Sequence, residues 1–191
     1  MSQAAQMLLF QISIPRTLRL GTEPRTQQDL RRALSDAGCS TSIWATAILA
    51  RLPFVTAFGE IIEVRLLVFT TEALTGKSEG ASVEEVFEGA ARLGLKECPP
   101  EVAWRLRLEC LDQPPGDEFY IGMNPVEDSG GSLLIFSISS NEGGVCLSAR
   151  DGHPDSRSLP HDLWIFIDPQ RSCIDVFRAR IFQNECGLFY I

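Results

Sequence analysis

The sequence predicts an α+β fold in which about three helices pack on an antiparallel sheet. Helical signals are concentrated in residues 1–112, whereas residues 117–169 consist of short strand-like runs separated by turn residues. Helices that mostly precede strands are typical of α+β domains rather than of repeated βαβ units. The chain has 191 residues, of which 45% are hydrophobic and 22% charged, so it is able to bury a core.

The N-terminal half opens with a run of strand formers at residues 7–14, which Pro15 ends. The first helix is predicted to start after Thr26, a favoured N-cap residue with an acidic residue three positions on. It is predicted to end at Gly38, where a helix commonly places glycine. Its apolar positions recur at helical spacing: Leu30, Ala33, Leu34 and Ala37.

Further elements follow in the same half. A short apolar helical segment is predicted over residues 42–50, and the alternating stretch EIIEVRLLVFT over residues 60–70 is typical of a strand. Ser82 and Glu85 form a capping box, which predicts the start of a second main helix. A third is predicted over residues 99–108, because a proline followed by an acidic residue is favoured in the first turn of a helix.

The second half changes in character. Its strand-like runs are FYIGMNPV, SLLIFSIS, VCLSAR and LWIFIDP, and they are separated by DSGG, NEGG and DGHPD. Gly, Asn and Asp clusters of this kind are what hairpin turns require, so an antiparallel meander is predicted. Residues 1–169 therefore form one predicted domain. Residues 170–191 continue in an apolar style and form a predicted C-terminal extension, which would add a strand, cover an edge or make an interface.

Composition and charge favour some classes of function over others. The formal net charge is −8, which disfavours nucleic-acid binding, since that depends on neutralising phosphates. The N-terminus has no Lys or Arg before its short apolar run, and no run reaches the roughly 18 apolar residues of a membrane span. A cytoplasmic, acidic protein without membrane association is predicted. Six scattered cysteines without a C-x-x-C pair are interpreted as reduced, mostly buried thiols.

The strongest chemical signal is Asp151-Gly152-His153-Pro154-Asp155. Alternation would place Asp151, His153 and Asp155 on one face, where two carboxylates and an imidazole could bind a divalent metal or form an acid/base pair. The same residue types also build turns, and the segment lies between two predicted strands. The turn is the favoured interpretation, with a metal or catalytic site as the alternative. His161, eight residues on, is either a fourth member of such a site or a residue at the start of a strand.

Other segments favour structural interpretations. Glu127–Gly131 lacks the ligand spacing of an EF-hand loop and is interpreted as a hairpin turn. The carboxylates around Pro114-Pro115 are interpreted as part of a solvated linker. Trp44, Trp104 and Trp164 are predicted in the core or at its edge rather than in a ligand cage. No G-x-S-x-G, G-x-G-x-x-G or G-x-x-x-x-G-K-[ST] motif is present, so these motifs provide no support for an α/β-hydrolase, a dinucleotide or a P-loop site.

Four blocks of sequence resemble a family of small uncharacterised bacterial proteins. They are LGTEPRTQQDLRRALSDAGCSTSIWATAIL, ARLGLKECPPEV, LRLECLDQPPGDEFYIGMNPVEDSGG, and VCLSARDGHPD with LWIFIDP. In order and spacing they are similar to the family's pattern over residues 17–169. The chain departs from it at Cys146 and at residues 156–159, where family members tend to have aromatic residues. The family also tends to end soon after the last of these strands. The resemblance implies no particular activity.

The leading hypothesis is a small binding module, regulatory or accessory, without catalysis and without a cofactor. Its expected partner is another protein or a second copy of the chain. The alternative is a metal-dependent, hydrolase-type enzyme centred on Asp151, His153 and Asp155. A nucleic-acid-associated protein is a third possibility, which predicts binding that weakens steeply with salt.

Overall fold

The computed structural model of the protein describes residues 14–15, 17–52 and 60–169. The strands are β1 (Thr17–Leu20), β2 (Ser40–Thr41), β3 (Ile62–Thr70), β4 (Ala81–Ser82), β5 (Glu118–Ile121), β6 (Val126–Glu127), β7 (Leu133–Asn141), β8 (Gly144–Asp151), β9 (Arg157–Ser158) and β10 (Leu163–Asp168). The helices are α1 (Gln27–Asp36), α2 (Ile43–Arg51), α3 (Thr71–Thr75), α4 (Val83–Arg92) and α5 (Glu101–Glu109).

Eight strands form one mixed sheet. The order across it is β1-β3-β10-β5-β7-β8-β2, and β6 pairs with β7 beside this path. The pairs β1/β3, β3/β10, β5/β7, β6/β7 and β7/β8 are antiparallel, whereas β10/β5 and β2/β8 are parallel. Strands β4 and β9 form a separate two-stranded ribbon.

The α+β class is confirmed, but the purely antiparallel sheet and the count of about three helices are wrong. The meander holds only for β5, β7 and β8. After the β4/β9 ribbon, β10 returns to the far side of β5 and inserts between it and β3, a strand of the N-terminal half. This return is a non-local pairing, and turn residues specify only the local reversal. The described residues contain five helices: α2 is the short helical segment predicted over residues 42–50, and α3 was not predicted.

The sheet buries apolar side chains on both faces. On one face, Trp104 of α5 makes an edge-to-face contact with Phe136 of β7, with ring centroids 5.9 Å apart. On the other face, Phe87 of α4 contacts Trp164 and Phe166 of β10 in the same geometry, at 6.0 Å and 5.7 Å. Because side chains alternate between the two faces along a strand, Phe136 lies on one face and Trp164 and Phe166 lie on the other. Helices α2 and α5 both lie on the face that carries Phe136.

Local sequence signals account for the helix ends. The Thr26 hydroxyl accepts from the Asp29 backbone N–H, as the capping prediction expects. Ser82 and Glu85 form the reciprocal capping box that opens α4. At the end of α1, Gly38 has φ +71°, and Cys39 donates its N–H to the Leu34 carbonyl. A left-handed glycine permits this closing turn at no steric cost.

Three observations complete the comparison with the predictions. No helix within the described ranges combines the length and apolar character needed to cross a membrane. The four cysteines that lie in these ranges are free thiols, three of them buried and Cys146 half-buried. The predicted strand at residues 7–14, except its last residue, and the extension 170–191 lie outside the described residues.

Candidate functional site

The Asp151–Asp155 segment lies in the loop between β8 and β9, and its polar groups bond to one another. The Asp151 carboxylate accepts from the His153 backbone N–H at 2.9 Å and from the Ser156 hydroxyl at 2.6 Å. The His153 Nδ1 accepts from the Asp155 N–H at 3.2 Å, and the His153 carbonyl accepts from the Ser156 N–H at 2.9 Å. These are the side-chain-to-backbone bonds by which Asp builds a turn.

The three predicted site residues are brought together only within this turn. The His153 Nδ1 lies 3.8 Å from an Asp155 carboxylate oxygen, and the two side chains are 55% and 89% exposed. His161 is exposed in the turn that precedes β10. No group of three or more His, Cys, Asp or Glu residues is placed to hold a metal ion among the residues that the structure describes.

Hydrogen bonding lowers the pKa of Asp151. The Ser156 hydroxyl is the main cause; burial opposes it, and the His153 backbone N–H acts in the same direction as Ser156 with a smaller effect. Because the folded-state pKa is depressed, this bond stabilises the fold at a pH above the unfolded-state pKa. The stabilisation is lost as the pH falls through the folded-state pKa.

We expect Ser156→Ala to raise the pKa of Asp151 towards its ordinary value, because the strongest donor to the carboxylate is removed. A ¹³C NMR titration of the side-chain carboxyl measures this pKa directly. Ser148→Ala, a half-buried serine of β8, is the matched control and should leave the titration unchanged. An unchanged Asp151 pKa in Ser156→Ala would contradict the described loop geometry.

We expect His153→Ala to leave the fold and the divalent-metal content of the purified protein unchanged, because the ring is exposed and its Nδ1 bonds only to the nearby Asp155 N–H within the turn. Elemental analysis together with far-UV circular dichroism measures both. A stoichiometric metal in the wild type that His153→Ala loses while the fold persists would support the metal-dependent enzyme instead.

An open cleft of about 430 Å³ lies beside this loop. Its lining comes from α2, from the β6–β7 turn and from β7, β8 and the loop after it: Trp44, Gly131, Ser132, Leu133, Leu134, Ala149, Arg150, Asp151 and His153. We call this the Trp44 cleft. Trp44 itself is 49% exposed, and its neighbour Ile43 is 77% exposed. The cleft therefore combines an aromatic wall with an apolar strand surface and a polar rim.

Capping of α2 explains why these two residues stay at the surface. Ser42 accepts from the Ala45 N–H and fixes the start of the helix. The buried stripe that follows is Ala45, Ile48 and Leu49. Ile43 and Trp44 occupy the first turn beside this stripe, where the sheet no longer covers them. Trp44 is thus exposed rather than part of the predicted core, whereas Trp104 and Trp164 are fully buried as predicted.

The rim of the Trp44 cleft carries acidic charge. Asp151 is exposed at the end of β8, and the Glu127 carboxylate lies near Gly131, 3.9 Å from the place where a Cβ would stand. Arg150 also lines the cleft, but its guanidinium is 3.2 Å from Asp162 and stacks 3.9 Å over the Tyr120 ring. Asp162 therefore neutralises most of the Arg150 charge, on the other face of the sheet. The nearby opposing charge is Arg51, which donates to the Glu127 carbonyl.

A polar network on that other face is structural. The Tyr120 and Ser137 hydroxyls donate to the two oxygens of Glu118, at 3.0 Å and 2.8 Å. Trp164 donates its indole N–H to Thr71 and Ser158 at 3.1 Å each. Buried polar groups that are paired in this way fix the position of α3 and β9 on the sheet.

The other loops behave as turns. Asp128 accepts from the Gly130 and Ser132 N–H groups at 2.7 Å and 2.9 Å, which closes the β6–β7 hairpin as predicted. In the linker before β5, Gln113 is buried and donates to the Asp117 carbonyl at 2.7 Å. The interpretation of this linker as solvated is therefore incomplete, since one of its side chains anchors it to the core.

Three charged residues of α5, Glu101, Arg105 and Arg107, are buried, and sequence reasoning predicted none of them. Glu101 is fully buried and accepts from the Gly21 N–H at 2.7 Å and from Arg105 Nε at 3.3 Å. Arg107 is also fully buried and donates to Gln113 at 2.7 Å and to the Ser139 carbonyl at 3.2 Å. Its Nε and Nη2 have no hydrogen-bond partner within the described part of the chain. Burial lowers the pKa of Arg107.

The buried thiols lack the setting of a nucleophile. Burial raises the pKa of Cys39 and Cys98, and it raises the pKa of Cys110 to about 11. A thiol acts as a nucleophile in its deprotonated form, so each of these groups is less reactive than a free cysteine. The Trp44 cleft remains the surface with the clearest capacity to bind.

Comparison with known proteins identified no matching family model, no matching curated protein and no matching solved structure.

Proposed function

We propose that the protein is a non-catalytic binding module, regulatory or accessory, that recognises an extended segment of another protein in the Trp44 cleft. One observation supports this most strongly: the half-exposed Trp44 lines an open cleft of about 430 Å³, and the neighbouring Ile43 is 77% exposed. A few residues, often Trp, Tyr or Arg, that become fully desolvated in the complex supply most of the binding energy of protein interfaces.

The adjacent strand supports an extended ligand. Strand β2 pairs with β8 only at Cys146 and Leu147, and Ser42 then donates to the Leu147 carbonyl as the chain turns into α2. The Gly152 N–H bonds to the Leu133 carbonyl of β7. Because antiparallel pairs alternate, the backbone groups of Ala149 point away from β7. No described strand pairs with Ala149 on that side, so its edge is open to a strand added from a partner.

The rim defines the chemistry of the partner. Asp151 and Glu127 place negative charge at the cleft, whereas Arg150 is neutralised by Asp162. A segment that carries large apolar residues beside Lys or Arg matches both the wall and the rim. Complementary charge of this kind contributes mainly to specificity and association rate, while the apolar contacts provide affinity.

We expect Trp44→Ala to weaken the binding of such segments at least tenfold, since it removes the aromatic wall of the cleft. Peptides enriched from a phage-displayed random library on the wild-type protein are synthesised, and their Kd is measured by fluorescence anisotropy. A loss of tenfold corresponds to about 1.4 kcal/mol of binding free energy.

Leu93→Ala is the matched control, because Leu93 is an equally exposed apolar residue that does not line the cleft. It should bind the same peptides as tightly as the wild type. Peptides that bind Trp44→Ala and the wild type equally, or a library that yields no binder, would contradict the proposed function. Enriched sequences without basic residues would contradict the role of the acidic rim.

A further inference from the structure

We infer that the protein's own C-terminal segment, residues 170–191, occupies the Trp44 cleft and competes there with partners. The inference rests on the cleft described under the proposed function and names its occupant in the free protein. It makes the cleft self-regulated, since a partner has to displace the segment before it binds.

Strand order places the start of this segment at the correct end of the sheet. Strand β10 runs parallel to β5, with Ile165 opposite Ile121. Strand β7 is antiparallel to both β5 and β8, so β8 and β10 run in the same direction. When the strand pairings are followed from β8 through β7 and β5 to β10, Asp151 at the end of β8 lies level with the last residues of β10. The described chain ends at Pro169, beyond β10 and at the same end of the sheet as the cleft.

The distance is short for the available length. From β10 to β8 there are three strand spacings, or about 14 Å. Residues 170–191 comprise 22 residues. Five extended residues would span about 17 Å, so a chain of this length is long enough to reach the cleft with most of its residues to spare.

The chemistry of the segment matches the cleft. Residues 174–182 read IDVFRARIF, in which Arg178 and Arg180 alternate with apolar neighbours and Asp175 is the one acidic residue. This is the combination of large apolar and basic side chains that the aromatic wall and the acidic rim accept. The chain as a whole has a net charge of −8, whereas residues 170–191 carry three arginines against two carboxylates.

Acrylamide quenching of tryptophan fluorescence in the full-length protein tests the inference. Trp104 and Trp164 are buried, so Trp44 dominates the quenchable fluorescence. The variant Arg178→Glu/Arg180→Glu is expected to increase the quenching constant of this fraction about twofold, because charge reversal releases the segment. Arg31→Glu/Arg32→Glu, which reverses two exposed arginines of α1, is the control with the same change in net charge. It should leave quenching unchanged.

A second measurement does not depend on a destabilising variant. Trp44 is replaced by the photocrosslinker p-benzoylphenylalanine, and the linked peptide is identified by mass spectrometry. A cross-link to residues 170–191 within one monomer is the expected result. A cross-linked dimer would show that a second copy of the chain, rather than the protein's own segment, occupies the cleft. That result, or the absence of any link to residues 170–191, would overturn the inference.

The two proposals fail separately. If charge reversal leaves Trp44 quenching unchanged while library peptides still bind through Trp44, the inference is wrong and the proposed function stands. If residues 170–191 cross-link to position 44 but no peptide binds either the wild type or Arg178→Glu/Arg180→Glu, the cleft is an internal docking surface. The proposed function is then wrong.

Discussion

Glu101→Ala is expected to lower the free energy of unfolding by about 3–5 kcal/mol, the range for breaking a buried ion pair on one side. Its carboxylate is fully buried and is hydrogen-bonded to the Gly21 N–H and to the buried Arg105 guanidinium. Removing it leaves a cation and a backbone donor without this acceptor in the core. Urea denaturation followed by circular dichroism measures the loss.

One variant separates the charge from the hydrogen bond, and a second is an exposed control. Glu101→Gln keeps an acceptor for the Gly21 N–H and should destabilise the protein less than Glu101→Ala. Glu88→Ala removes an exposed carboxylate that lies 3.8 Å from Arg92, and its expected cost is below about 1 kcal/mol. A Glu101→Ala protein within 1 kcal/mol of the wild type would contradict the buried pairing.

Gly122→Ala is expected to destabilise the protein by about 3 kcal/mol, the upper end of the range for overpacking a core. Gly122 follows β5, and a Cβ there would overlap the ring of Phe166. That ring is itself fixed by Trp164 and Phe87, so it has no free space to enter. Thermal and urea unfolding both report the change.

Relief of the clash provides the test of mechanism. Phe166→Leu removes part of the ring, so the double variant Gly122→Ala/Phe166→Leu should be more stable than the sum of the two single effects predicts. Gly130→Ala, in the exposed β6–β7 turn, faces only the flexible Asp128 side chain and should change stability by less than about 1 kcal/mol. Strict additivity of the core pair would contradict the described packing.

The four longer helices were predictable because their signals are local. Thr26, Ser82 and Glu85 each bond to a backbone group three residues away, so their role depends little on the rest of the chain. The pairing of β10 between β3 and β5 was not predictable, since it joins residues almost a hundred positions apart. Each strand is apolar enough to lie centrally, and nothing in the pattern selects its neighbours.

The candidate site was predictable in part. Asp, Gly and Pro indicated a turn at Asp151–Asp155, and the loop between β8 and β9 has the expected internal bonds. The Trp44 cleft depends on where α2 lies over β7 and β8, which is a non-local contact. Ser42 was the available signal, because an N-cap there puts Trp44 in a first turn. The resemblance to a bacterial family stays a prediction.

The most direct test of the binding account is NMR mapping of a library-selected peptide on the ¹⁵N-labelled full-length protein. The account predicts that the largest shifts occur at the Trp44 indole and at the amides of Ser132 and of residues 149–153. Shifts that instead cluster in the polar cleft between Lys77 and Arg157, or that leave the Trp44 indole unmoved at saturation, would contradict it.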